Sequence, residues 1–221
     1  MVPVRDPAFY MAAGYWDSRT IADLVRANAR DRPDGIAFHA PDATLTWRGY
    51  DELSTRLAGA YVAQGWRRGE RLGVLLTGGA LTHVAYLAAQ KAGLVTVGIG
   101  PRAGDAEVAH VLRHTRAVAL ATRREHRGRA GAEIAARAGV RHLELTLDLP
   151  ASTVEDRALG PDDLFFINST SGTTGLPKCV GQTMNVRKYF GPLAARAAGF
   201  GPDEVVASVL PAPYGFGLWS A

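Results

Sequence analysis

Apolar positions along this chain alternate between helical and strand-like spacing. In Thr20–Arg30, Ile21, Leu24 and Val25 share one face of a predicted helix, and Arg32-Pro33-Asp34-Gly35 ends it. Ile36–His39 and Leu45–Trp47 read as short strands around a Pro41-Asp42 turn. Arg48–Gln64 reads as a helix with Leu53, Leu57, Ala60 and Tyr61 on one side and Gly65 as its stop. Short apolar runs at Arg71–Leu76, Leu94–Gly98, Ala117–Ala121 and Val140–Leu145 then alternate with helical stretches at Ala80–Lys91, around Val108, Val111 and Leu112, and at Ala130–Ala138. The runs are continuously apolar, as strands covered on both faces must be. The fold class expected is therefore α/β, with parallel-sheet βαβ layers and helices on both faces.

The ends of the chain are less periodic. Residues 1–19 carry Phe9, Tyr10, Tyr15 and Trp16 without a clear repeat and read as an extended arm. Pro150–Asp163 is polar and reads as a surface linker, followed by a strand at Leu164–Ile167. Met184–Ala198 has helical character that Gly191-Pro192 should break or kink. Val205–Leu210 reads as a further strand. The expected division is a first α/β subdomain at 1–149, a linker at 150–163, and at 164–221 the start of a second subdomain.

Composition excludes several classes. With 47% hydrophobic and 21% charged residues in 221, the chain can bury a real core. The net charge is +4, and lysine occurs only at 91, 178 and 188, so nearly all the basic residues are arginine. They are scattered among acids. The densest run, Arg123-Arg124-Glu125-His126-Arg127-Gly128-Arg129, lacks interleaved aromatics and reads as a solvated loop rather than a nucleic-acid surface. The start of the chain has no signal-peptide core, and Gln90 and Lys91 interrupt the longest apolar stretch, so no membrane span is expected. A single cysteine, Cys179, forms no intrachain disulfide, and a cytoplasmic setting fits. His83, His110, His114, His126 and His142 do not compose a metal set. The i, i+4 pair His110/His114 lacks the inner glutamate and third ligand of a zinc helix and reads as helix surface.

The chemistry concentrates in Asn168-Ser169-Thr170-Ser171-Gly172-Thr173-Thr174-Gly175-Leu176-Pro177-Lys178, immediately past a predicted strand. Open α/β sheets place ligands at such strand ends. Glycines at 172 and 175 let successive N–H groups turn towards an anion, and the hydroxyls of Thr170, Ser171, Thr173 and Thr174 add short donors. Lys178 supplies a mobile positive charge. A P-loop is excluded: counted from Gly172, the second glycine of G-x-x-x-x-G-K-S/T falls on Pro177, and Cys179 occupies the Mg²⁺-binding hydroxyl position. Gly98-Ile99-Gly100-Pro101-Arg102-Ala103 is only a loose dinucleotide fingerprint, interrupted by Pro101. Cys179 has no evident His/Asp partnership that would make it a nucleophile.

Thr170–Lys178, Thr-Ser-Gly-Thr-Thr-Gly-Leu-Pro-Lys, resembles the signature loop of the adenylate-forming (AMP-binding) superfamily, of the acyl-CoA synthetase or CoA ligase type. Thr44–Leu53 resembles that family's early strand-to-helix segment, Gly69–Leu76 its first βαβ strand, and Pro211–Leu218 the segment entering its acyl pocket. Two positions depart from the pattern: Cys179 replaces the glycine that usually follows the lysine, and Tyr214 stands where many members carry histidine or an aromatic residue near the carboxylate.

The resemblance implies ATP-dependent activation of a carboxylic acid to acyl-AMP and transfer to coenzyme A, with Mg²⁺ sharing the phosphate charge. It implies that Thr170, Ser171, Gly172, Thr173, Thr174, Gly175 and Lys178 bind ATP, with Thr174 and Lys178 acting catalytically. It also implies that Tyr214, Gly215 and Phe216 face the acid, a fatty or aromatic one, although core packing serves Phe216 and Trp219 equally well and Tyr214 less well. The family's later Tyr-Gly-x-Thr-Glu and Thr-Gly-Asp segments, hinge and C-terminal lysine do not occur in the 221 residues. The expectation is an N-terminal part that does not turn over ATP alone and self-associates through surfaces left uncovered. The alternative is a non-catalytic nucleotide- or phosphate-binding module that retains the fold.

Overall fold

The computed structural model describes residues 6–154, 157–170, 175–201 and 204–212. Its centre is a six-stranded sheet in the order β10-β9-β4-β3-β5-β8, built from β3 (Arg71–Leu75), β4 (Val95–Ile99), β5 (Ala117–Thr122), β8 (Arg141–Glu144), β9 (Leu164–Thr170) and β10 (Lys178–Thr183). Five strands run parallel, and β10 alone pairs antiparallel, to β9. Helices α2 (Ile21–Asp31), α3 (Trp47–Val62) and α4 (Ala80–Lys91) pack together over one face, and α5 (Asp105–Thr115) and α6 (Gly131–Ala138) over the other.

The two-residue period of the strands sorts the core between these layers. Leu72 and Val74 of β3 and Ala119 and Ala121 of β5 face the first layer; Leu75, Leu120, Val97 and Ile99 face the second. Gly73 lies between them because a Cβ there would collide with Leu112 of α5. The α/β class with a parallel, doubly covered sheet is therefore the observed one.

Local chemistry explains the element starts. Thr20 caps α2 in a reciprocal capping box with Asp23. Thr46 ends the hairpin of β1 (Ile36–Ala40) and β2 (Ala43–Thr46), and its Oγ1 accepts the Gly49 N–H at 3.1 Å to begin α3. Trp47 therefore opens the helix rather than closing the strand. Helix α4 starts at Gly79, which has a φ of 85° and no side chain to cap it. Asp42 caps it from the β1–β2 turn, accepting the Ala80 N–H at 2.7 Å and the Leu81 N–H at 3.3 Å, while Arg123 holds the same carboxylate at 2.9 Å.

Several expectations are corrected. The N-terminal arm is not wholly extended: Asp6 caps a short helix α1 (Pro7–Ala12) by accepting the Ala8 N–H at 2.9 Å, with Pro7 pre-set for the first turn. Val205–Leu210 is not a strand. A strand needs a ladder partner, and this segment has none among the described residues; Val205 and Val209 stand 93% and 92% exposed.

The helix α7 (Met184–Ala198) runs unbroken through Pro192. The 150–163 stretch is not simply a surface linker, since Leu159 is buried and its backbone is held at both N–H and C=O by Gln90. The arginine-rich run is not simply a loop. It forms a small hairpin of β6 (Glu125–His126) and β7 (Arg129–Ala130), with His126 buried.

Candidate functional site

Strands β4 and β9 lie side by side, but the chain leaves β4 towards β5 on one side and leaves β9 towards β10 on the other. Loops therefore diverge above this pair, which is where an open α/β sheet forms a ligand crevice. A recess of about 150 Å³ opens there, lined by Gly100, Arg102, Ala103, Glu107, Ser169, Thr170 and Pro177.

The Ser/Thr/Gly segment is the connection of the β9–β10 hairpin. Thr170 is the Cα partner of Lys178, and its Oγ1 donates to the Lys178 carbonyl at 3.5 Å. The hairpin thus closes the two ends of the loop upon each other and sets Thr170 at the recess. Lys178 is exposed, with its charge in solvent at the base of the loop. Its strand, β10, carries a polar, glycine-containing sequence that gives little strand signal; only pairing with β9 makes it one.

Ser169 donates its hydroxyl to the Gly98 carbonyl at 2.8 Å and so ties β9 to β4 rather than offering a proton to a ligand. Pro177 is held from the side by His110 of α5, whose Nε2 donates to the Pro177 carbonyl at 3.2 Å. His110 is half-buried and structural at the loop's exit, whereas His114 is exposed, as helix surface should be. A Cβ added at Gly175 would meet no heavy atom within 4 Å, so the backbone there is open to approach. Ser171, Gly172, Thr173 and Thr174 lie outside the described residues, as do Tyr214, Gly215 and Phe216.

Cys179 pairs with Ser169 in the ladder and packs against the second core layer, where burial pushes its thiol pKa up. A raised thiol pKa and a hydrophobic setting favour packing over nucleophilic chemistry. Among the described residues, no group of three or more His, Cys, Asp or Glu could hold a metal ion. No described helix is long and apolar enough to cross a membrane.

A second concavity was not foreseen from the sequence. Tyr50, His83, Tyr86, Gln90, Phe166 and Arg187 surround a small cavity between α3, α4, β9 and α7. His83 stacks on Phe38 with ring centroids 4.4 Å apart. Burial, reinforced by the nearby Arg187 cation, lowers the His83 pKa to about 4, and burial lowers Arg187 to about 10. The unfolded state takes up a proton on His83 near pH 6.5, whereas the folded state does so only near pH 4. Stability therefore rises with pH through that window and is lost as pH falls. Lowering pH from 7.5 to 5 should remove about 2 kcal/mol through His83, with buried His126 adding in the same direction. Thermal melts at the two pH values should separate, and His83→Gln should narrow the gap; an equal gap in the variant would refute the assignment.

The fold recurs in known proteins. The sequence model of the AMP-binding enzyme family matches residues 25–221. The chain is 36% identical over 166 residues to phosphinothricin tripeptide synthetase PhsC of Streptomyces viridochromogenes, covering 73% of this chain and 15% of that protein. It is 28% identical to the 2-hydroxy-7-methoxy-5-methyl-1-naphthoate–CoA ligase of Streptomyces carzinostaticus, over 95% of this chain and 42% of the ligase. Among solved structures it superposes on apo MbtA of Mycobacterium smegmatis with a TM-score of 0.84 and 28% identity, over 96% of this chain and 44% of MbtA. It shares the fold of the Bacillus subtilis o-succinylbenzoate CoA synthetase MenE solved with AMP, at a TM-score of 0.78 and 22% identity, over 92% of this chain and 52% of MenE. The chain thus spans less than half the length of these two Streptomyces relatives. With the family model matched over most of its length and the fold shared with apo MbtA, this chain belongs to the AMP-binding enzyme family of adenylate-forming enzymes.

Proposed function

We propose that this chain supplies the phosphate-gripping part of an enzyme that activates a carboxylic acid as its acyl-adenylate and passes the acyl group to the thiol of coenzyme A. The observation that supports it most directly is the β9–β10 hairpin, which sets Thr170 and Pro177 at a recess above the diverging ends of β4 and β9. In the first step the acid's carboxylate attacks the α-phosphorus of ATP and pyrophosphate leaves. Both partners are anions, so the reaction needs alignment and positive potential where charge builds. Loop N–H groups, the hydroxyls of Thr170, Ser171, Thr173 and Thr174, and Lys178 would hold the β- and γ-phosphates. With no acidic cluster among the described residues to bind a resident ion, Mg²⁺ fits as the counter-ion carried in by ATP.

Coenzyme A is proposed as acceptor on the likeness to the naphthoate–CoA ligase over 95% of this chain; a carrier-protein thiol is the second reading, supported by the 36% identity to the tripeptide synthetase. The acid would enter against Tyr214, Gly215 and Phe216. The test is acid-dependent exchange of radiolabelled pyrophosphate into ATP by the full-length protein across a panel of aromatic and aliphatic acids, followed by thioester formation with coenzyme A. Nucleotide binding without exchange for any acid would favour the non-catalytic binding module instead.

A further inference from the structure

Pro177 and Cys179 flank Lys178, and both are held from within the fold. Pro177 is buried, Lys178 exposed and Cys179 half-buried. The alternation follows the two-residue period of extended chain, so Lys178 points away from the side on which its neighbours are fixed. Cys179 packs against the second core layer, to which α5 contributes Val108, Val111 and Leu112. The Pro177 carbonyl accepts the Nε2–H of His110 on α5 at 3.2 Å. Among the described residues, His110 is the one side chain outside the hairpin that hydrogen-bonds to residues 175–178. Strand β10 lies at the sheet edge and pairs with β9 alone, so no second strand steadies the loop's exit.

The helix that offers this support is itself firmly held. Glu107 accepts the Gly104 N–H at 2.8 Å at the start of α5, and Asp105 is shared by Arg129 at 2.6 Å and Arg137 at 2.9 Å. Val108, Val111 and Leu112 are buried along its inner side. The His110 ring stacks on His114, with centroids 5.6 Å apart and planes inclined by 12°, which limits its rotation. A carbonyl oxygen only accepts, so the ring presents an N–H at Nε2. Lys178, by contrast, carries its ammonium on a flexible stem and forms no ion pair among the described residues. Where that charge can reach therefore depends on where its backbone starts.

We propose that His110 is a positioning residue for acyl-adenylate formation: by holding the Pro177 carbonyl, it fixes the backbone from which Lys178 reaches the phosphates of ATP. The proposal rests on the reading of Thr170–Lys178 as the triphosphate grip. His110 acts through the lysine and not on the reacting atoms. Stabilising a departing pyrophosphate depends on charge that is already in place when the bond breaks. Helix α5 thus supplies the rigidity that a polar edge strand lacks, and it does so through one donor on the helix face turned to the loop.

Acid-dependent ATP–pyrophosphate exchange by the full-length protein tests it, with His110→Phe and His110→Gln each placed in the parental and the Lys178→Ala backgrounds. His110→Phe keeps a ring to stack on His114 and loses the donor. It should lower kcat by about tenfold, within the roughly 10²-fold that a misplacement of about 1 Å can cost. His110→Gln returns an N–H donor and should recover most of the lost rate. In the Lys178→Ala background, His110→Phe should add almost nothing, because the group it acts through is already gone. His110→Leu takes the place of His110→Phe if melting curves show that the larger ring does not fit. An equal loss in both backgrounds, or no recovery with His110→Gln, would show that His110 supports the fold and not the lysine. Exchange at the parental rate in His110→Phe, with Lys178→Ala slow, would overturn the proposal and leave the reading of the loop standing. Exchange at the parental rate in Lys178→Ala would instead refute that reading, and the role of His110 with it.

Discussion

Lys178→Ala in the full-length protein should slow acid-dependent ATP–pyrophosphate exchange by about 10²–10³-fold, the usual cost of removing one well-aimed donor to developing charge. Thr174→Ala should fall in the same range. The Lys178 backbone is pinned opposite Thr170 in the β9–β10 ladder while its side chain is exposed. The variant therefore loses a charge without losing a packed group, and its melting temperature should stay within a degree or so of the parent. Exchange at the parental rate in both variants would show that the loop does not hold the phosphates. Lys178→Arg is informative beside them. It keeps the charge but replaces a compact ammonium with a planar fork, so partial activity is expected.

Lys91→Met should lower stability by about 3 kcal/mol, corresponding to a fall of roughly 10 °C in melting temperature. The Lys91 side chain is 7% exposed, yet its Nζ lies within hydrogen-bonding distance of four oxygens of α3. These are the Asp51 carbonyl at 2.9 Å, Asp51 Oδ1 at 2.6 Å, Ser54 Oγ at 2.8 Å and Thr55 Oγ1 at 2.9 Å. Burial lowers the Lys91 pKa, and the Asp51 hydrogen bond and charge oppose that shift. The contact therefore joins the C-terminal end of α4 to the first turns of α3 through one cation. Removing that cation strands the Asp51 carboxylate in a partly dry site, whereas removing both charges lets apolar packing take over. Lys91→Met/Asp51→Leu should accordingly recover a large part of the loss in urea denaturation. A double variant as unstable as the sum of its singles would argue that the pair is not coupled.

The α/β architecture was legible because each apolar run has the length and continuity of a strand covered on both faces. The predicted helices reappear within a few residues, ended by Gly65, Gly93 and Gly139 at positive φ. The family resemblance of the loop was legible for a different reason: it lies in residue types and spacing within eleven consecutive positions. Pairing, by contrast, is non-local. Val205–Leu210 has a strand's composition but no ladder neighbour among the described residues, while polar Lys178–Thr183 becomes a strand because Leu164–Thr170 lies beside it.

The chain's composition and order of residues determined the layers and the sheet's parallel character, since these follow from local periodicity. Only the tertiary structure decided that Gln90 and Lys91, polar interruptions in an apolar stretch, are buried and satisfied by partners 36 to 69 residues away. It also decided that the Pro101 carbonyl meets the buried His126 ring 25 residues later in the chain. Contacts between residues far apart in the chain depend on which elements stack, and no window of sequence contains both partners.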